Sequence, residues 1–249
     1  MKTSFAHVDE RKSVGQVAAT APQLVPILEE QGIDYYCRGN RSIKEACEAV
    51  GLETAEVTRL LSAVPPSEDA RNWMASPLTE LTNHLIAGHH ARAREIVPSL
   101  QQLAHEVCTT HKDQHPELRR ICTLFKSISD DLLEHMRGEE AMLFPQVEAL
   151  ERAALEGKDP ESPYVGGLSH RILIEYHEHD MVAEKMRKLR ELTSNYLVPE
   201  DCPKYRAFFE AMETFERDLH DHMHLENNVL FPRSGVLESN VKLRVAGPW

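Results

Sequence analysis

No stretch of this chain approaches the roughly 18 uninterrupted apolar residues of a membrane span, and its start, M-K-T-S-F-A-H-V-D-E-R-K, lacks the apolar run of a secretory signal. A cytoplasmic protein with no membrane partner is expected. Basic residues are short, 28 against 40 acidic ones for a formal charge of −12. A nucleic-acid partner, which needs a basic stripe, is excluded. The five cysteines (Cys37, Cys47, Cys108, Cys122, Cys202) are odd in number and show no C-x-x-C spacing, so they read as reduced thiols. Sustained period-2 alternation is missing too, which removes the β classes. Of the 14 histidines only His7 precedes residue 80, so the histidine chemistry belongs to the C-terminal part.

What is present is helical texture of two kinds. At 249 residues the chain can hold one large or two modest domains. Residues 1–64 read as a small helical domain. Ser13 caps V-G-Q-V-A-A, Thr20 with Pro22 starts a helix running to Gly32, S-I-K-E at 42–45 is a capping box, and a fourth helix spans about 54–64. Residues 65–76, opening on Pro65 and Pro66, read as a linker. Residues 77–240 read as a four-helix bundle, with long periodic segments at about 77–110, 116–152, 164–196 and 203–231 and turn chemistry between them. Short connections favour an up-down-up-down, all-α arrangement.

One frame is written twice. Residues 131–145 read D-L-L-E-H-M-R-G-E-E-A-M-L-F-P and residues 218–232 read D-L-H-D-H-M-H-L-E-N-N-V-L-F-P. In each copy a His and a Glu stand four apart, His135 with Glu139 and His222 with Glu226, and so share one helix face. Two such helices facing one another gather carboxylates and imidazoles that need a cation between them. The apolar line of the first long helix runs through His90, and that of the third (Ile172, Tyr176, His179, Ala183, Met186) selects His179 over His177. Glu175, one turn before His179, reads as a solvated carboxylate in preference to a supplementary ligand. His105 and His111 read as surface residues, because His111 lies roughly 30 Å along a continuous helix from His90.

Four imidazoles and two carboxylates suit iron, manganese or zinc, with no thiolate to select a softer metal. Two carboxylates between two ions can bridge them, and an open position then admits O2, NO or peroxide.

With these residues in place, the chain resembles the iron–sulfur cluster repair di-iron proteins, the repair of iron centres family, in which a small cysteine-containing domain precedes a hemerythrin-like bundle. The resemblance rests on H-M-R-G-E-E-A-M-L-F-P at 135–145, H-M-H-L-E-N-N-V-L-F-P-R at 222–233, H-H-A-R-A-R-E at 89–95 and E-H-D at 178–180. It implies two iron ions, oxo- or hydroxo-bridged, with manganese or zinc less favoured. By the same resemblance His90, His135, Glu139, His179, His222 and Glu226 are the metal ligands, Glu139 and Glu226 bridge, and His111 matches a histidine sometimes implicated in the family. At G-I-D-Y-Y-C-R-G-N-R-S-I-K-E-A-C, residues 32–47, the family usually has two cysteines followed by two glycines. This chain has Tyr36 and Arg38 at the first of each, keeping Cys37 for a role in iron transfer or redox. The implied function is restoration of stress-damaged iron–sulfur clusters by iron donation, with damaged or apo iron–sulfur proteins as partners. A hemerythrin-like O2 or NO sensor and a di-iron NO reductase are the alternatives, and a homodimer is allowed.

Overall fold

The computed structural model describes residues 8–67, 71–158, 167–198 and 202–246, the last five without their side chains. Part of the expected linker and parts of the loops at 157–163 and 198–203 lie outside them. Every regular element among the described residues is helical.

The N-terminal module holds α1 (Val14–Thr20), α2 (Val25–Glu30), α3 (Ile43–Val50) and α4 (Thr54–Ser62). Ser13 Oγ accepts from the Gln16 N–H at 3.3 Å. Ser42 and Glu45 form the reciprocal capping box, and Gly51 closes α3 at φ 74°, a left-handed position that glycine adopts without steric cost. The helix expected from Thr20 is broken. Thr20 instead ends α1, its hydroxyl donating to the Gln16 carbonyl at 2.8 Å, and a single 3-10 turn at Pro22–Leu24 precedes α2. Val14, Leu28, Tyr35, Ile43 and Cys47 form the fully buried centre of this module.

Four long rods make the bundle. The first is α5 (Leu78–Leu85) and α6 (Ala91–His111); the second, α7 (Leu118–Gly138) and α8 (Phe144–Glu156); the third, α9 (Gly167–Leu192); the fourth, α10 (Pro203–Leu225) and α11 (Phe231–Ala246). α6 runs through Pro98 without a break. Three rods contain one π-helical turn each, at Ile86–His90, Glu139–Leu143 and Glu226–Leu230. In the repeated frame the Phe144 N–H reaches the Glu139 carbonyl, and the Phe231 N–H reaches that of Glu226, five residues back. Pro145 and Pro232 follow at once. Having no N–H, they leave no donor unmatched as the ladder returns to its α spacing. The second and fourth rods therefore run on past Leu-Phe-Pro to Glu156 and Ala246, beyond the ends their periodicity predicts.

Two apolar cores stack along the bundle. One is built on Phe125, Ile128, Phe208, Met212 and Phe215 and ends at Met136 and Met223. The other begins at Leu143, Phe144, Val229 and Leu230 and includes Leu81, Leu85 and Val147. The His and Glu of both frames lie in the layer between them.

Candidate metal centre

Every rod contributes to this layer. The π turns carry His90, Glu139 and Glu226, the last turns of α7 and α10 carry His135 and His222, and α9 carries His179. His90, Glu139 and Glu226 are fully buried, and His179 and His222 nearly so. The six side chains form two quartets that share both carboxylates. In the first, His90 Nε2 lies 3.2 Å from His222 Nε2 and 3.5 Å from Glu139 Oε2, and His222 Nε2 lies 3.1 Å from Glu226 Oε1. In the second, His135 Nε2 lies 2.9 Å from His179 Nε2 and 3.3 Å from Glu139 Oε1, and His179 Nε2 lies 3.3 Å from Glu226 Oε2.

Three of the imidazoles have a partner at the opposite nitrogen. Nδ1 of His90 meets Glu140 Oε1 at 2.7 Å, Nδ1 of His135 meets Glu178 Oε2 at 2.7 Å, and Nδ1 of His179 meets Asn227 Oδ1 at 2.8 Å. An acceptor there fixes the proton on Nδ1 and leaves Nε2 as a bare lone pair. His135 and His179 thus point two lone pairs at one another across 2.9 Å. Both oxygens of Glu139 and of Glu226 are buried with no hydrogen-bond donor. Facing lone pairs and orphaned carboxylate oxygens repel unless a cation stands among them. The donor set fits a pair of cations, one per quartet.

The same field attracts protons. Burial disfavours charge on His135, but Glu139, Glu178 and Glu226 outweigh it and hold the imidazole well above its ordinary range. At His222 burial is likewise outweighed, by Glu226 and Glu139, and the value rises. At His90 burial prevails and, with His222 beside it, keeps the imidazole low. The Glu226 carboxyl, against its burial, is held well below the usual carboxylate range by His222 and His179.

Glu175 departs from its expectation. It is fully buried behind His135, with an oxygen 3.3 Å from His135 Nδ1 and Arg171 at its other side. Burial, reinforced by the Glu139 charge, pushes its carboxyl up to about 7. His135, Glu175 and Glu178 thus form a third cluster able to hold a cation. It opens onto a cleft of 550 Å³ whose lining includes the acids Asp131, Glu134 and Glu178 and the cations Arg171 and Lys185. His111 is buried rather than on the surface, at the far end of α6 with Nε2 3.2 Å from Cys202 Sγ, while His105 and His177 are exposed.

Cys37 is half-buried at the seam of module and bundle, its Sγ 3.9 Å from the His179 carbonyl. Burial, with the charges of Asp34 and Asp180, pushes the thiol far up. At neutral pH it is a thiol, not a reactive thiolate. Tyr36 beside it stacks on His220 with ring centroids 3.7 Å apart.

A four-helix bundle with two carboxylate-sharing His/Glu quartets defines a metal-binding bundle protein. Comparison with known families agrees. The Hemerythrin HHE cation binding domain matches residues 81–234. A second family, ScdA_N, described as a domain of unknown function, matches residues 10–64. Among curated proteins, the iron-sulfur cluster repair protein YtfE of Musicola paradisiaca (strain Ech703) is 33% identical over 227 residues, covering 90% of this chain and 96% of that protein. Proteins of the same name from Yersinia pseudotuberculosis (strain PB1/+) and Yersinia pestis (strain Pestoides F) are each 29% identical over 225 residues, with 90% and 96% covered. The chain belongs to the hemerythrin HHE cation-binding family and, within it, to the two-part iron–sulfur cluster repair proteins.

Proposed function

We infer that this chain repairs damaged iron–sulfur clusters by donating iron, and that the two quartets hold a di-iron centre with Glu139 and Glu226 as bridges. The observation that carries this reading is the pair of buried carboxylates, each shared by two quartets and with both oxygens unpartnered. Bound there, two irons supply exchangeable cargo and open positions for small oxidants. Residues of the chain make the cargo exchangeable. Nitrogen and oxygen donors without thiolate hold ferrous iron loosely enough to leave. His135, the least buried of the six, faces this cleft, so Glu175 and Glu178 beside it can take over a departing cation from the His135 quartet. Damaged or apo iron–sulfur proteins are the proposed acceptors.

A second reading, reaction with NO or O2, has its own support. A cavity of 340 Å³ is lined in part by Ala18, Ala19, Trp73, Leu225 and His89, and the His89 ring stacks on His222 at 5.6 Å.

The test mixes iron-loaded protein, anaerobically, with an apo iron–sulfur acceptor or with a chelator. Donation predicts faster loss to the acceptor and recovery of acceptor activity. Cys37→Ser then reads the thiol's part: if it hands iron on, transfer slows while loss to the chelator is unchanged. Reversible gas binding without iron loss, or release of N2O with a reductant, would overturn donation in favour of the sensor or the reductase.

A further inference from the structure

Two adjacent asparagines connect the metal layer to the N-terminal module. Asn227, nearly buried, accepts from His179 Nδ1 through Oδ1 at 2.8 Å and donates through Nδ2 to the Tyr36 carbonyl at 3.0 Å. A flip of its amide would set oxygen against that carbonyl and nitrogen against an N–H, so only one orientation serves both partners. Its own carbonyl accepts from the Tyr176 hydroxyl at 3.0 Å. Asn228 grips the same loop, its Nδ2 donating to the Tyr35 carbonyl at 2.9 Å and reaching that of Tyr36 at 3.2 Å. Its Oδ1 fills the space where a Cβ on Gly15 or Gly39 would stand. The Tyr35–Gly39 loop is therefore seated on the residues that follow Glu226.

The backing of the imidazoles is unequal. His90 and His135 rest on the carboxylates Glu140 and Glu178, both from the bundle itself. His179 rests on a neutral amide whose other hand holds the module. A carboxylate makes an imidazole a stronger donor than an amide does. His179 is thus the more weakly supported ligand of its quartet, and its support depends on the loop being docked.

We propose that Asn227 is a positioning residue through which docking of the Tyr35–Gly39 loop controls how tightly the His135–Glu139–His179–Glu226 quartet holds its ion. The proposal rests on the di-iron reading above and adds to it which ion leaves first and what governs the release. Coupling of this kind is reciprocal: if the docked loop tightens the ion, the ion steadies the loop by the same factor.

Two measurements on the full-length chain test it. The first is the anaerobic rate of ferrous iron loss to a chelator. Asn228→Ala, which loosens the loop and leaves Asn227 and His179 in place, is expected to speed loss of one of two irons, by at most the roughly 10–100-fold that removing the supporting partner itself costs. Asn227→Asp gives His179 a carboxylate while removing the donor to Tyr36. It is expected to slow that loss again and to make it insensitive to Asn228→Ala. The second is amide hydrogen exchange. Iron loading slows exchange over residues 33–39 in wild type but not in Asn227→Ala. Two irons bound, with loss unaffected by Asn228→Ala or loop exchange unaffected by loading, would overturn the proposal alone. Failure to bind two irons would overturn the di-iron reading beneath it.

Discussion

Tyr35 shows how one side chain settles the geometry of a seam. It is fully buried, and its hydroxyl lies 3.0 Å from both Glu29 Oε1 and Asp221 Oδ1. One hydroxyl proton cannot serve two carboxylates. The hydroxyl donates to one or the other, and burial keeps the Asp221 carboxyl above its ordinary range. Tyr35→Phe removes the shared atom and is expected to destabilise the chain by about 1–3 kcal/mol, read from denaturant midpoints. At this scale the candidate ligands were legible. A His and a Glu four apart, repeated with the same apolar frame, constrain each other without tertiary knowledge, and an apolar line separates His179 from the exposed His177. Glu175 was not legible. It shares a helix face with His179, four residues on, but a carboxylate so placed is ordinarily solvated, and what buries it is the neighbouring rod that carries His135. Burial of His111 has the same origin, in the approach of Cys202 from the start of α10.

Elements here are capped from a distance. The N-terminus of α5 has no capping side chain of its own, and Glu151 of α8 supplies one, accepting from the Leu78 N–H at 2.6 Å and the Thr79 N–H at 2.9 Å. Glu238 of α11 does the same for α9, at Leu168 and Ser169. Burial favours the neutral form of Glu151, but the N–H groups of Thr79 and Leu78 outweigh it and hold the carboxyl below its ordinary range. A lowered folded value contributes stability above the unfolded value, about 4.3, and that stability is lost as pH falls through the folded one. Glu151→Ala is therefore expected to cost about 1 kcal/mol at pH 7. The difference from wild type should shrink below about pH 4 in thermal melts across pH. Such caps cannot be read from local sequence, which shows only Pro77 where a cap belongs. The π turns were hidden for a related reason. A π turn keeps the apolar periodicity nearly intact, and only the hydrogen bond from Phe144 or Phe231 to the carbonyl five residues back shows it.

For the whole molecule, the metal layer separates two apolar cores and touches the module through Asn227. A cation there ties all three together. With free iron at about 1,000 times its Kd, binding adds about 4 kcal/mol. In a chain of this size that raises Tm by about 8–16 °C. Calorimetry of loaded and metal-free protein checks this, and module and bundle should shift together. Four rods and a helical module follow from periodicity and punctuation, because those are local signals. Docking does not, because it depends on backbone carbonyls of Tyr35 and Tyr36 meeting side chains about 190 residues away. The central claim, two irons between shared carboxylates, is tested most directly by metal content and the near-ultraviolet spectrum of aerobically purified protein, for wild type and for Glu139→Ala with Glu226→Ala. The account predicts about two irons per chain with charge-transfer bands in wild type, and loss of both in the double variant. Stoichiometric zinc, or no metal even after anaerobic iron loading of the wild type, would contradict it.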